Sequence, residues 1–376
     1  MEFLTHKFGK FYFIHEYANH KAIDALLIEA RVRHETINDL PVLPELASKL
    51  EPDILYSSIA GTAAIEDNPI PAEGVKELAE NKDIEGYAQK HKQEITNLLN
   101  CYDILSDLSK DSSSVSLRIS EDYIRKVHSV LTVGVPDDRN VPGQYRNGEV
   151  LVGNIAHGGV YKPPKSLEDI KNLMAKYIEW LNSDEILQLN PFIRAALAHY
   201  HFSLIHPFWD GNGRTARLIE TAILEGANIK YVPKMLANIY YKRVDEYYIA
   251  YSKTYKLRKN NDVSPFLEFV LRSVTTALKE IQEEITLHTR LMIIRELFRY
   301  EFEKRDLTKR QYQFLSLLPK HPGPFKLKDL KTNPVYATLY SDVTTQTARR
   351  DLKKFEANKY LVKSGDEYTF NYRVLG

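Results

Sequence analysis

The run His206-Pro207-Phe208-Trp209-Asp210-Gly211-Asn212-Gly213-Arg214-Thr215-Ala216-Arg217 places a base, a carboxylate, a glycine-rich loop and two arginines side by side. Just upstream, Asn190-Pro191 reads as an N-cap followed by proline at the first helical position. Ile193, Leu197, Tyr200 and Leu204 recur at helical spacing and form one buried stripe. Pro207 disfavours the α conformation at the residue before it, so His206 leaves a buried helix and faces a loop. Asp210-Gly211-Asn212-Gly213 reads as a turn. A second helix is expected to start near Arg214, continue through Leu218, Ala222 and Ile223, and stop at Gly226.

A helix–loop–helix of this kind binds anions. Backbone N–H groups at a helix N-terminus are unpaired and the dipole there is positive. Gly211 and Gly213 let the backbone curl and approach a ligand. Arg214 and Arg217 lie three apart on one face, both placed for phosphate oxygens. Asp210 suits Mg²⁺, which takes carboxylate, phosphate and water oxygens. A histidine, with an ordinary pKa of ~6.5, suits deprotonation of a hydroxyl at neutral pH. Each residue alone has an ordinary structural explanation; one short loop satisfying all of these demands does not.

The stretch resembles the Fic-family signature His-Pro-Phe-x-Asp-Gly-Asn-Gly-Arg-x-x-Arg at every specified position. The resemblance implies transfer of AMP from ATP to a hydroxyl side chain of a target protein or of the chain itself. His206 is then the general base on a Ser, Thr or Tyr. Asp210 is the Mg²⁺ ligand, Gly211, Asn212 and Gly213 cradle phosphates, and Arg214 and Arg217 grip the β- and γ-phosphates. Relatives with lysine where Gly213 stands, the Doc toxins, act as kinases; glycine favours nucleotidyl transfer. Transfer of UMP or another phosphate-containing group is the variant chemistry.

Two further segments carry the same resemblance. Leu55, Ile59 and Thr62 share a helical stripe that Glu66 continues, before Asn68-Pro69-Ile70-Pro71 stops the helix. A carboxylate in a last turn opposes the helix dipole, so an arginine partner would explain Glu66. Thr62-Ala63-Ala64-Ile65-Glu66 resembles the Fic inhibitory motif, in which the glutamate pairs with the second signature arginine, here Arg217, and blocks γ-phosphate binding. The chain departs at Asp67, where Gly or Asn is usual. The stretch 143–164, with Val150, Leu151 and Val152 and glycine and proline punctuation, is similar to the Fic flap, a hairpin that pairs with an extended target segment. Tyr247 and Tyr248 match a tyrosine pair near the adenine pocket; Arg243 stands where asparagine is frequent.

Composition agrees with a water-soluble enzyme. Of 376 residues, 43% are hydrophobic, enough for sizeable cores in two or three domains. No apolar run approaches the roughly 20 residues a membrane helix needs, and the N-terminus has no signal-peptide pattern. Cys101 is the single cysteine, which points to a reducing, cytoplasmic setting. Asp111-Ser112-Ser113-Ser114 reads as a loop between helices. The net charge of +1 hides an asymmetry: residues 304–376 carry +8 and residues 1–303 carry −7.

In that basic region Thr308 to Leu318, Phe325 to Leu330 and Thr344 to Ala357 read as helices, and Tyr360-Leu361-Val362 with Tyr368-Thr369-Phe370 as a hairpin. The pattern resembles a winged helix-turn-helix, which offers Gln346, Thr347, Arg350 and Lys353 to DNA, or docks a protein. Pro265 to Glu303 is expected to form one or two connecting helices.

The expected fold is mainly α: a Fic-type helical core with a hairpin flap and a C-terminal winged helix. Residues 1–100 would hold the inhibitory helix (about 53–67), 101–285 the core, and 286–376 the connector and winged helix. A homo-oligomer is compatible with the sequence. The other function class is a DNA-binding regulator whose core senses nucleotide.

Overall fold

The computed structural model describes residues 1–42, 44–111 and 117–374. They fall into two compact units, Met1–Asp39 with Ala47–Ile281, and Leu40–Leu46 with Gln282–Gly376.

The first unit opens with an antiparallel hairpin, β1 (Glu2–Leu4) and β2 (Lys10–Tyr12). Helices α1 (His20–Asp39), α2 (Pro44–Ala64, from Ala47 on in this unit), α3 (Ala72–Ala79), α4 (Gln89–Asp111) and α5 (Glu121–Thr132) follow. A second hairpin, β3 (Val152–Asn154) with β4 (Gly159–Tyr161), precedes α6 (Leu167–Leu181) and α7 (Asp184–Leu187). Then come α8 (Pro191–Ile205), α9 (Asn212–Gly226), α10 (Val232–Lys242), α11 (Val244–Leu257) and the start of α12 (Ser264–Glu303).

Local chemistry sets the helix starts. Ser120 caps α5 by accepting from the Tyr123 N–H, Ser166 caps α6, and Asn190 caps α8 ahead of Pro191. Helix α8 is the core element: from Phe192 to Ile205 all but Ser203 are buried. Such a helix, buried all round and mostly apolar, must be enclosed by neighbours. Among the described residues α9 is its most extensive partner, and α5 and α4 also pack on α9. The hinge between α8 and α9 is therefore held by the densest part of the unit.

The second unit contains the rest of α12, α13 (Lys309–Leu317), β5 (Phe325–Lys326), α14 (Asp329–Thr332), α15 (Pro334–Tyr340), α16 (Thr345–Ala357), β6 (Leu361–Ser364) and β7 (Glu367–Phe370). Its sheet has the order β5-β7-β6. Phe314, Phe325, Tyr340, Leu352 and Phe355 are among the residues forming its core.

Three sequence expectations change. Phe325 to Leu330 is not one helix. Phe325 pairs with Tyr368 and Lys326 with Glu367 as a third strand, and the Lys326 N–H then donates to Asp329 Oδ2 to start α14. Pro334–Tyr340 forms a further helix that periodicity did not single out. The second signature helix starts at Asn212, ahead of Arg214; Pro265 to Glu303, expected as one or two helices, lies in one. The expected loop at Asp111–Ser114 falls, after Asp111, outside the described residues. Among the described residues no helix is long and apolar enough to cross a membrane.

Candidate active site

His206 ends α8 in the left-handed region, at φ 51° and ψ 58°. A non-glycine residue there needs support, since such strain costs about 1–3 kcal/mol. The support is Arg146, which is wholly buried. Its Nε donates to the His206 carbonyl at 2.7 Å, Nη1 to the Gly148 carbonyl and Nη2 to the Ile205 carbonyl. The Arg146 backbone N–H donates to the Pro207 carbonyl at 2.9 Å. The imidazole is oriented by its own turn: Nδ1–H donates to the Ser203 carbonyl at 3.3 Å, which assigns the lone pair to Nε2. Burial, reinforced by the Arg146 charge, pushes the His206 pKa down to about 4, so the ring is neutral at physiological pH.

The loop after His206 is closed by a side-chain clamp. Asn212 Oδ1 accepts from the Phe208 N–H, and its Nδ2 donates to the Phe208 carbonyl, both at 2.9 Å. The Asn212 side chain is thus engaged in shaping the loop, and its backbone begins α9. Gly211 takes φ 75°, a left-handed turn that a Cβ would strain. His128 stacks on Phe208 with ring centroids 3.5 Å apart. Its Nδ1 accepts from the Gly143 N–H at 3.0 Å, so its Nε2–H donates to the Asp210 carbonyl at 3.0 Å.

The two signature arginines are buried in paired environments, not on a solvated face. Arg214 Nη2 donates to Asp210 Oδ2 at 2.8 Å, and Nη1 lies 3.6 Å from Glu94 Oε1. Burial opposes ionisation of Asp210. The Arg214 charge and the Gly211 N–H outweigh it and hold the carboxyl below its ordinary range. Glu94 Oε2 accepts from Asn68 Nδ2 at 2.8 Å. Arg217 Nε donates to Thr62 Oγ1 at 2.6 Å, and Nη2 donates to the Thr62 carbonyl and to Glu66 Oε1 at 2.8 Å. Burial disfavours the Arg217 charge, but Glu66 more than compensates and raises its pKa. Gly213 is the space that Glu66 fills: a Cβ there would stand 2.4 Å from Glu66 Oε1.

Glu66 is presented by the end of α2, which begins at Pro44, further upstream than the inhibitory segment was expected to start. The Asn68 N–H bonds the Ala63 carbonyl and the Asp67 N–H the Ala64 carbonyl. This is a Schellman cap, with Asp67 left-handed at φ 63°. A position of that kind favours Gly or Asn, which explains why Asp67 is the unusual residue.

Some of these groups border a cavity of about 450 Å³, whereas Asp210, Gly211, Asn212 and Arg214 do not line it. Its wall includes Glu66, His206, Gly213, Arg217, Tyr247 and Tyr248, and it is roofed by the β3–β4 hairpin. Leu151 and Val152 line it, and Val150 does not. The hairpin is tied down to α11: Ser252 Oγ donates to the Gly158 carbonyl at 2.9 Å, and His157 Nε2 meets Asp245 Oδ1 at 2.8 Å. Tyr247 is buried, its hydroxyl 2.9 Å from His199 Nε2, with His199 Nδ1 on Glu220. Tyr248 is half-buried. Arg243 faces elsewhere, paired with Glu246. It lines a larger groove of about 780 Å³ with Asn19, Phe269 and Arg272, which contains no residue of the signature loop.

Sequence reasoning missed Arg146, His128 and the Asn68–Glu94 pair. Arg146 stood inside the glycine-punctuated stretch read as flap, but no local pattern tells a buried arginine from an exposed one. Among the described residues no group of three or more His, Cys, Asp or Glu is placed to hold a metal. Asp210 is a single ionised carboxylate beside the glycine-rich loop. That donor set fits a cation arriving with nucleotide phosphates.

Residues 118–224 match the Fic/DOC family model. The protein adenylyltransferase Fic of Drosophila erecta is 36% identical over 130 residues, covering 34% of this chain and 23% of that protein. The Drosophila virilis protein of the same name is 35% identical over 130 residues, with the same coverage. The match therefore spans less than a quarter of these curated relatives. Among solved structures, a Fic family protein from Desulfovibrio desulfuricans G20 aligns with TM-score 0.57 and 21% identity over 94% of this chain and 97% of that one. Fic-1 from C. elegans gives 0.57 and 23% over 71% and 73%. The fold is mainly α, with a Fic-type helical core and small β-hairpins, and the matched segment is homologous to Fic adenylyltransferases.

Proposed function

We propose that this protein transfers AMP from ATP to a Ser, Thr or Tyr hydroxyl, on a target protein or on itself, and that Glu66 restrains the reaction. The observation that carries the reading is a neutral His206, its lone pair on Nε2, in one pocket wall with Gly213, Arg217 and Glu66. Nε2 accepts the proton as the target oxygen bonds the α-phosphorus. The bond from that phosphorus to its bridging oxygen breaks and pyrophosphate leaves. The base contributes on the order of 10²–10⁴-fold, and positioning with charge neutralisation contributes the rest.

Asp210 would hold Mg²⁺ with the phosphate oxygens, and the ion would offset charge on the leaving pyrophosphate. Arg214 and Arg217 would grip the outer phosphates, with the Gly211–Gly213 backbone beneath them. The Tyr247–Tyr248 side of the cavity would take the base. The hairpin at Leu151 and Val152 would register the target strand. With Glu66 on Arg217, the γ-phosphate lacks its cation. The single cysteine supports a reducing, cytoplasmic setting.

Intact-mass spectrometry with ATP tests this on wild type, Glu66→Gly and Glu66→Gly/His206→Ala. Little adduct is expected in wild type, an AMP adduct in the single variant and none in the double. A phosphate or UMP-selective adduct would replace the chemistry; an AMP adduct that survives His206→Ala would remove the assigned base.

A further inference from the structure

Three cations of the basic C-terminal unit, Arg349, Arg350 and Lys353, share one face of α16. Asp351 fixes the roll of this helix. It is buried and accepts from Arg310 Nη2 at 2.9 Å, Gln311 Nε2 at 2.7 Å and the Tyr340 hydroxyl at 3.1 Å. A buried carboxylate with that many donors is costly to rotate out of place. Ala348, Leu352 and Phe355 share the inward face. The outward face is then Gln346, Arg349, Arg350 and Lys353, at i, i+3, i+4 and i+7, and all four are exposed.

The three cations of that stripe are unspent. Among the described residues none of Arg349, Arg350 and Lys353 makes an ion pair, whereas Arg310 and Lys326 elsewhere in the unit do. Lys328, just before α14, and Lys331 within it border one groove with Thr345 and Ala348 of α16, extending the positive surface toward the helix start. At the hairpin tip Lys326 pairs with both Asp366 and Glu367, at 3.0 and 3.5 Å, and offsets part of their charge. Glu356 closes the stripe at the last turn of α16. Thr347 is not part of it: its hydroxyl is 2.9 Å from Thr344 Oγ1 in the helix cap.

We infer that α16 is a duplex-DNA-binding helix, with Arg349, Arg350 and Lys353 on the phosphates and groove edges and Gln346 reaching bases. The geometry favours DNA over other polyanions. At 13 residues α16 is about 20 Å long and narrow enough for the ~12 Å major groove of B-DNA. The deep, narrow major groove of duplex RNA excludes a helix. Glutamine is suited to the edge of adenine. The order helix, strand, two helices, helix and two-stranded wing resembles a winged helix-turn-helix, and in a helix-turn-helix the second helix of the pair, here α16 after α15, enters the groove.

Fluorescence anisotropy on the full chain with a mixed-sequence duplex of about 30 base pairs tests the inference, between about 50 and 200 mM salt. Binding should weaken steeply with salt. The triple variant Arg349→Gln/Arg350→Gln/Lys353→Gln should bind at least about tenfold more weakly at the low-salt end. Its log–log salt slope should shrink by roughly two to three, near one for each phosphate no longer neutralised. The swap Arg349→Lys/Arg350→Lys/Lys353→Arg keeps the charges and should retain the slope. All these side chains face solvent, so the melting temperature should not move. Self-modification in a Glu66→Gly background should also persist, which separates failure here from failure of the transfer chemistry. No duplex binding at low salt, an unchanged triple variant, or equal binding of duplex RNA or polyglutamate would each overturn the inference; the last would mark an acidic-protein surface.

Discussion

Arg146 and His206 are sixty residues apart in sequence, yet the first holds the second in a left-handed conformation it would not otherwise keep. Arg146→Lys tests the assignment. Lysine retains the charge that helps keep His206 neutral but cannot span the Gly148, Ile205 and His206 carbonyls as a rigid fork does. In a Glu66→Gly background kcat for self-modification should fall on the order of 10–10²-fold, since small misplacements of a reacting group have effects of that size. KM for ATP and the acid limb of the pH profile should stay put. Wild-type kcat would refute the positioning role, and a raised KM with a lowered melting point would indicate a merely structural one. Of the pocket residues, His206, Gly213, Arg217 and Glu66 were readable from motif. Arg146 and His128, which do not line the pocket, were not, because their importance is a matter of which carbonyls they meet across the core.

At the scale of elements, the end of α2 carries a conflict. Its Schellman cap places Asp67, a carboxylate and not a glycine, at φ 63° and at the negative end of the helix dipole. Asp67→Asn removes the charge and suits the conformation better. The last turn should gain about 0.5–1 kcal/mol, and residual self-modification by wild type should drop roughly two- to fivefold. Rising transfer, read by quantitative intact mass, would mean that Glu66 is held by something other than this cap. Helix periodicity disclosed α8, α9 and the stripe of α2. It misread Phe325 to Leu330, because a two-residue strand has no period of its own and exists only through pairing with Tyr368 and Glu367.

For the whole molecule, acid is the sensitive direction. Burial holds His128 at about 4, His201 at about 3 and His206 at about 4. Unfolded, each returns toward ~6.5. Between those values the unfolded chain binds more protons than the folded one, so stability rises with pH across the window and is lost as pH falls from about 6.5 toward 4. With three such groups the slope approaches about 4 kcal/mol per pH unit where all are protonated only in the unfolded chain. Both tryptophans, Trp180 and Trp209, lie in the first unit, so their fluorescence in urea at pH 7, 6 and 5 reports that unit alone. The midpoint should fall steadily; a flat response would show that these rings are hydrated. What the sequence by itself determined was local: the cap at Asn190, the turn at Asp210-Gly211, the hairpin punctuation and the charged C-terminal region. These follow from hydrogen bonds and side-chain reach within a few residues. The tertiary structure decided what is joined across distance: Thr62 and Glu66 on Arg217, Asn68 through Glu94 to Arg214, and Asp351 turning α16 outward. Those contacts depend on burial, where an unpaired charge or donor is expensive and partners must be found wherever packing puts them.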